Sequence, residues 1–413
     1  MKKLFVLLAL TVMIVPTVFS QADTLTILHV NDTHSCLSSL APRGGNLQGT
    51  HGGIARAASI IGATRMTEEN VLTLHGGDMF VGDLFFNTFF GVPELRIMHT
   101  LGFDAMGVGN HEFDLQPETL LGVLDTAFAT GGFPLVSSNV NMELFPPLKN
   151  HIKPFILRQI GDIKVGLFGL TTPETNDFSL PAPVYIDTDI VPIIISMVDT
   201  LSRLDCDIIV CLSHLGMYFD QDIAAQIPGI NIIVSSHDHS MISAPIEITN
   251  PLGGTTYIVQ AGSFYENIGK MKVKIENSQV SLISYELICL DSTIPEEPMT
   301  LAVINQLIGE IENTYGPVYS QQIGTSIGFF RETADSLLTI GNHDTPLGNL
   351  ITDAFRWKTN TQIAIEVGGS TSQPLHPGPI VFADVFRSIG YGFNTVNGLG
   401  FRILKFKLSG LDL

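Results

Sequence analysis

The chain has 413 residues, 45% of them hydrophobic, and a formal charge of −19 at pH 7. That length exceeds what one hydrophobic core usually serves, so two domains of roughly 100 to 200 residues are expected. So acidic a surface offers nothing to a nucleic-acid polymer or an anionic lipid, and a small anionic ligand would need local positive charge such as bound cations.

The N-terminus reads as an export signal: Lys2 and Lys3, an apolar stretch over 4–15, and Val18-Phe19-Ser20 before a cut at Gln21. Residues 1–20 are therefore expected to be a signal peptide, with the mature chain periplasmic or extracellular and association with the cell surface compatible. A retained anchor is the competing reading, but the run is shorter than the roughly 20 residues that span a bilayer. No other segment qualifies, so no stable membrane insertion is expected. The four cysteines, Cys36, Cys206, Cys211 and Cys289, lack zinc-finger spacing. Export would permit disulfides, yet Cys211 lies inside an apolar strand and reads equally as a buried thiol. Cys36 falls two residues after His34 and is expected to neighbour the site described below.

From there, apolar strands are predicted at 24–30, 71–74, 105–108, 135–137, 164–170, 208–212, 230–234 and 257–260. Helical patterns at 54–65, 93–101, 117–129 and 190–204 alternate with them, which makes the fold class α/β. Pro295-Glu296-Glu297-Pro298 then breaks the pattern, and 301–315 reads as a helix with Val303, Ile304, Leu307, Ile308 and Ile311 on its apolar face. We divide the chain into a catalytic domain at 21–295, a linker helix at 296–319 and a second domain at 320–413. The second domain is expected to hold a helix at 347–358, a strand at 362–367 and a turn at Gly368-Gly369.

Five polar signatures sit where strands leave the core: Asp32-Thr33-His34, Gly77-Asp78, Gly109-Asn110-His111-Glu112-Phe113-Asp114, Ser213-His214 and His237-Asp238-His239. Taken singly, each has a plain reading as a turn residue or a core histidine. Together they supply the carboxylate, imidazole and amide ligands of a two-cation site, which eases hydrolysis of a phosphate ester by neutralising the anionic phosphoryl oxygens that repel nucleophiles. Asp32 and His34 can converge on one ion from an extended turn. Asp78 is the natural bridging carboxylate, and Asn110 can give a neutral oxygen. His214 and His237 complete the second ion, and His239 the first.

These signatures, with Gly262 in Ile258-Val259-Gln260-Ala261-Gly262, resemble the calcineurin-like metallophosphoesterases, and within them the secreted 5'-nucleotidase, UDP-sugar hydrolase and 2',3'-cyclic nucleotide phosphodiesterase group. The resemblance covers about residues 24–410. It implies a four-layer α/β/β/α catalytic domain with one metal on Asp32, His34, Asp78 and His239 and another on Asp78, Asn110, His214 and His237. It further implies an attacking hydroxide shared by the metals, His111 facing the substrate, and Asp114 orienting His111. The reading of Asp114 as a cap for the next helix stands beside this. Zinc or manganese suits the ligands best, with cobalt, iron and magnesium also compatible. The expected activity is hydrolysis of nucleotide phosphate monoesters. The alternatives are a cyclic phosphodiesterase or 3'-nucleotidase, a UDP-sugar hydrolase, and a silent binding protein on the same fold.

The C-terminal part keeps the family framework in Leu347-Gly348-Asn349-Leu350-Ile351-Thr352-Asp353-Ala354, Gly368-Gly369 and Asn394-Thr395. Where the family commonly reads Asn-x-Gly-Gly-x-Arg, this chain has Glu366-Val367-Gly368-Gly369-Ser370-Thr371, and the Pro-Phe-Gly-Asn turn becomes Tyr391-Gly392-Phe393-Asn394. Substrate contacts are therefore expected from Gly368, Gly369, Phe393 and Asn394, with Phe393 or Tyr391 as a stacking ring. The resemblance also implies an incomplete α/β C-terminal domain, since the family continues past Leu413. Gly341-Asn342-His343-Asp344 mimics the catalytic string but lacks the strand before it, and we exclude it.

Overall fold

The computed structural model describes residues 23–276, 279–331, 344–394 and 396–411. Two sheets lie face to face. The first has seven strands in the order Gln279–Cys289, Asn267–Glu276, Asp23–Val30, Val71–His75, Ala105–Gly107, Leu135–Val136 and Ile152–Lys153. The second has six: Ile246–Thr249, Thr255–Val259, Ile232–Val234, Ile208–His214, Ile163–Thr171 and Phe155–Ile160. The central strands of both run parallel; antiparallel strands close both edges of the second sheet and one edge of the first, whose other edge, Ile152–Lys153, is parallel.

Successive side chains on a strand point to opposite faces, and here both faces are covered. Leu25, Ile27, Leu72, Leu74, Val165, Leu167, Val210 and Leu212 fill the space between the sheets. Their neighbours Leu28 and Val30 turn outward to meet Ile54, Ala57 and Ile61 of the helix Ile54–Thr67 and Leu120, Val123 and Leu124 of Gln116–Ala127. On the far side Phe168, Leu170, Ile209 and Cys211 meet Ile194, Val198 and Leu201 of Ile190–Arg203 and Ile223 and Ala224 of Met217–Gln226. Three apolar interfaces between four layers give the expected α/β/β/α arrangement, and the near-continuous apolar strands follow from it.

The helix Pro298–Tyr315 starts at a proline, with the Glu297 carboxylate accepting from the N–H groups of Met299 (3.0 Å) and Thr300 (2.6 Å). Its Ile304, Leu307 and Ile311 join the core of the first domain, so the expected linker helix lies on that domain. Beyond it, Gln322–Ser326 pairs antiparallel with Gly378–Val381, and Leu347 and Ile351 of the helix Pro346–Thr359 share a small core with Leu375 and Ile380.

One expected strand is not formed, and one hairpin went unpredicted. Residues 362–367 form no strand: among the described residues none pairs with them, and Ile363, Ile365 and Val367 are 52%, 77% and 66% exposed. Alternation yields a strand only when a neighbour supplies the hydrogen bonds. The hairpin Asn267–Glu276 with Gln279–Cys289 was hidden by its alternating lysines and serines, which mark strands with one wet face. All four cysteines are free thiols. Residues 1–20, His343 and Thr395 lie outside the described residues.

The C-terminal part is fastened to the first domain by buried charge. Arg43 grips Asp384 with two bonds of 2.7 Å, and Arg387 Nε meets Asp83 Oδ2 at 2.6 Å while its Nη2 donates to Ser38 Oγ at 2.7 Å. Tyr319 donates to the other Asp83 oxygen at 2.7 Å, and Gln373 Nε2 lies 2.9 Å from the Cys36 thiol.

Candidate metal centre

The ligand-type residues sit in the loops that follow strands, with His214 the last residue of its own strand, where the backbone leaves the ladder and can bend. Asp32, His34, Asp78, His237 and His239 all have positive φ, between 47° and 87°. For residues other than glycine this costs roughly 1 to 2 kcal/mol each, and such strain gathers at functional sites where the surrounding structure compensates it. Here the loops lace together: Asp32 N donates to Gly77 O at 2.9 Å and His34 N to Asp78 O at 3.1 Å.

The result is two clusters. The ligand atoms of Asp32, His34 and His239 all lie within 4.8 Å of one another, and so do those of Asp78, His214 and His237. His34 Nε2 faces His239 Nε2 at 3.1 Å, and His214 Nε2 faces Asp78 Oδ2 at 2.9 Å. Asp32 Oδ1 lies between the clusters, 3.8 Å from His239 Nε2 and 3.9 Å from His214 Nε2. Asn110, which follows Gly109, is buried with its Oδ1 lacking a hydrogen-bond donor.

These atoms fit divalent cations. Burial, aided by His239 and His111, holds His34 well below the usual imidazole range, and burial takes His239 down to about 4. Both rings are thus neutral, with lone pairs to donate. His34 Nδ1 is engaged by Phe80 O at 3.1 Å, which leaves Nε2 as its ligating atom. Burial pushes the Asp32 carboxyl up to about 8 against the pull of His214, with repulsion from Asp78 adding to it. At His214 burial is outweighed by Asp78 and Asp32, which draw positive charge onto the ring and lift it to about 9. Two buried carboxyl groups, the neutral rings of His34 and His239, the His214 ring whose proton a bound cation would replace, and an orphaned amide oxygen are a donor set for borderline cations.

Several supporting residues escaped the sequence reading. Glu112, inside the quoted motif, accepts from the N–H groups of Gly109 (2.7 Å), Asp78 (3.0 Å), Met79 (2.8 Å) and Phe80 (3.3 Å), clasping both loops with one carboxylate. Gly109 has to be glycine, since a Cβ there would come within 2.1 Å of Asp78 Oδ1. Asn31 donates to Asp32 Oδ2 and to Gly262 O, each at 2.6 Å, and accepts from Ala261 N at 2.8 Å. Behind the clusters, Gly77 N donates to His75 Nδ1 at 3.0 Å, so His75 Nε2–H donates to Thr33 Oγ1 at 2.9 Å, and Thr33 donates to Glu94 at 2.8 Å. Glu174 meets His237 Nε2 at 3.1 Å, and no local sequence pattern marks it.

Glu112→Gln turns one of those acceptor oxygens into a donor facing backbone N–H groups. We expect divalent-metal affinity about 10- to 100-fold weaker, read by competition with a chromophoric chelator. An unchanged affinity would mean the clasp is dispensable.

His111 Nδ1 lies 2.6 Å from Asp114 Oδ2, whose other oxygen accepts from Ser179 Oγ at 2.8 Å. Burial opposes charge on the ring, but Asp114 and Asp78 prevail and raise it to about 10, so the ring is an imidazolium. The helix Gln116–Ala127 is capped by Leu115 without a side-chain bond, so Asp114 serves His111 and not the helix.

The four residues expected to touch substrate make protein contacts of their own. Phe393 lies against Phe90, ring centroids 5.4 Å apart. Asn394 donates to Leu399 O and Gly400 O, at 2.8 and 2.7 Å, and accepts from Val396 N at 3.1 Å, which occupies its amide within its own loop. Gly368 and Gly369 form a short 3₁₀ turn with Ser370, and Thr371 donates to Gly368 O at 2.8 Å. The ring that does reach the clusters is Tyr391, 4.9 Å from His34 and 5.2 Å from His111.

Comparison with known proteins agrees with this geometry. Residues 25–241 match the calcineurin-like phosphoesterase family and residues 322–413 the 5'-nucleotidase C-terminal domain. The snake venom 5'-nucleotidase of Naja atra is 31% identical over 348 residues, covering 80% of this chain and 64% of that protein. The 5'-nucleotidase of Homo sapiens is 30% identical over 353 residues, covering 80% and 59%. This chain thus spans about six tenths of the length of those relatives. The crystal structure of a 5'-nucleotidase precursor from Thermus thermophilus superposes with a TM-score of 0.77 at 30% identity, over 89% of this chain and 74% of that one. With two ligand clusters at the strand exits of a four-layer domain and both domain matches in order, this chain belongs to the 5'-nucleotidase family of the calcineurin-like phosphoesterase superfamily.

Proposed function

We propose that this chain is an exported phosphoesterase that hydrolyses phosphate monoesters of nucleotides with two bound divalent cations, zinc or manganese. The observation that carries the reading is the pair of clusters Asp32-His34-His239 and Asp78-His214-His237, with the orphaned Asn110 oxygen beside them. Asp32, His34 and His239 would hold one cation and Asn110, His214 and His237 the other, with Asp78 shared. When bound, the cations neutralise phosphoryl oxygens and acidify water. The chain's own residues do the rest. Glu112 and Asn31 hold the ligand loops, Asp114 fixes the tautomer and direction of His111, and His111 presents its Nε2 proton to the ester.

Residues 21–295 form the catalytic unit in this reading, and 320–413 the substrate-binding one after the 296–319 linker. Among the described residues no helix is long and apolar enough to cross a membrane. The relatives' names supply the nucleotide class. Phe393 packs on Phe90 and Asn394 bonds within its own loop, so neither adds support for the base of the nucleotide.

The test is phosphate release from AMP, 2',3'-cyclic AMP and UDP-glucose by chelator-stripped and metal-reconstituted protein. We expect AMP turnover to vanish on stripping and to return with zinc or manganese. Turnover of the cyclic ester or the nucleotide sugar alone would replace the substrate class. Silence with every metal would favour a binding protein instead.

A further inference from the structure

Tyr391 comes from the C-terminal part of the chain, yet its ring lies parallel to that of His111, with centroids 5.2 Å apart and planes 19° apart. The same ring is 4.9 Å from His34, and His34 meets His111 edge-on at 5.3 Å, so the three rings brace one another. This approach is built into the backbone. Gly82 N donates to Gly390 O at 3.2 Å, a Cβ on Gly390 would fall 2.2 Å from Gly82 O, and a Cβ on Gly82 would fall 2.7 Å from the Cβ of His34. Only two glycines in contact let the residue after Gly390 reach this depth. Just upstream, the Arg387–Asp83 and Arg43–Asp384 pairs anchor the helix Phe382–Ser388.

We propose that Tyr391 is a positioning residue for His111: stacking on one face of the imidazole, it fixes the ring plane that Asp114 alone, bound at Nδ1, leaves free to rock. The inference rests on the functional reading above. In it the Nε2–H proton passes to the leaving alkoxide oxygen as the ester P–O bond breaks, while water supplies the new oxygen on phosphorus and its proton goes to solvent. A ring occupied by His111 is not a platform for a nucleobase, so its loss acts on turnover and not on substrate affinity. Proton donation matters for a poor leaving group such as a ribose alkoxide and little for p-nitrophenolate, which departs without it.

The experiment compares metal-loaded wild type, Tyr391→Leu and Tyr391→Phe on AMP and p-nitrophenyl phosphate, with metal content measured in each. The His111 ring-proton resonance is followed in parallel in selectively labelled protein. We expect Tyr391→Leu to lower kcat on AMP about tenfold, a fraction of what a general acid contributes. KM, p-nitrophenyl phosphate turnover and metal content should stay near wild type, and Tyr391→Phe should restore AMP turnover. The upfield ring-current shift of the His111 resonance should disappear in Tyr391→Leu and persist in Tyr391→Phe. An unchanged or increased kcat, an equal loss on both esters, a rise in KM alone, or a resonance that does not move would overturn the proposal. A wild type inactive on every ester defeats the functional reading, whereas the resonance still decides whether Tyr391 positions His111.

Discussion

If the proposed phosphoesterase reading holds, His111→Ala is expected to lower kcat on a nucleotide monophosphate by about 10²- to 10⁴-fold, the range that a positioned proton donor supplies. The loss should fall on kcat more than on KM, because the imidazolium meets charge that grows only as the P–O bond breaks. Its charge is set by Asp114, 2.6 Å from the ring, and by the nearby carboxylate of Asp78, whose Oδ1 also accepts from the His111 backbone N–H at 2.9 Å. Metal content should stay at the wild-type level, since the ligand loops are held by Glu112 and Asn31 and not by the His111 ring. A variant that keeps full turnover, or loses its metal along with its activity, would remove His111 from the proton-donor role.

Arg387→Leu destabilises the fold by about 3 to 5 kcal/mol, the usual cost of stranding one partner of a buried ion pair. Arg387 and Asp83 are each about 1% exposed or less, and Asp83 also accepts from Phe85 N as the cap of the helix Leu84–Phe89. Left without the guanidinium, that carboxylate keeps the Tyr319 hydroxyl and the Phe85 N–H, both on Oδ1. Urea unfolding checks the single variant against Arg387→Leu with Asp83→Asn. The second change removes the stranded charge and keeps an oxygen for the helix cap, so the double variant should regain most of the loss. A single variant within about 1 kcal/mol of wild type would show that the pair barely beats its own desolvation.

Glu112 and Tyr391 show what a linear reading can and cannot see. Glu112 stands inside Gly109-Asn110-His111-Glu112-Phe113-Asp114, so its presence was plain, but its task appears only when the Asp78 loop arrives beside it. Tyr391 was visible as one of two aromatic residues in an altered turn. Phe393, the other, looked as eligible, and it lies instead against Phe90. Nothing local separates the two. The Gly82–Gly390 approach that seats Tyr391 joins residues from opposite ends of the chain. The strand expected at 362–367 erred in the opposite direction: Ile363, Ile365 and Val367 carry the right period, but no described strand lies alongside to pair with them.

What the sequence determined by itself is what depends on neighbours along the chain: two-faced apolar strands, the helices between them, and polar residues of ligand type at the strand exits. A strand buried on both faces has to be apolar throughout, so the α/β class could be read from the pattern of Ile27, Leu28, Leu72, Leu74, Val210 and Leu212, whereas the four layers came only with the family resemblance. Only the tertiary structure decided which carboxylate faces which imidazole, that Asp114 serves His111, and that Arg387 buries its charge against Asp83. Such pairings are set by distances of 3 to 4 Å between groups far apart in the chain, and burial weights them so heavily that an ångström of backbone placement decides each one.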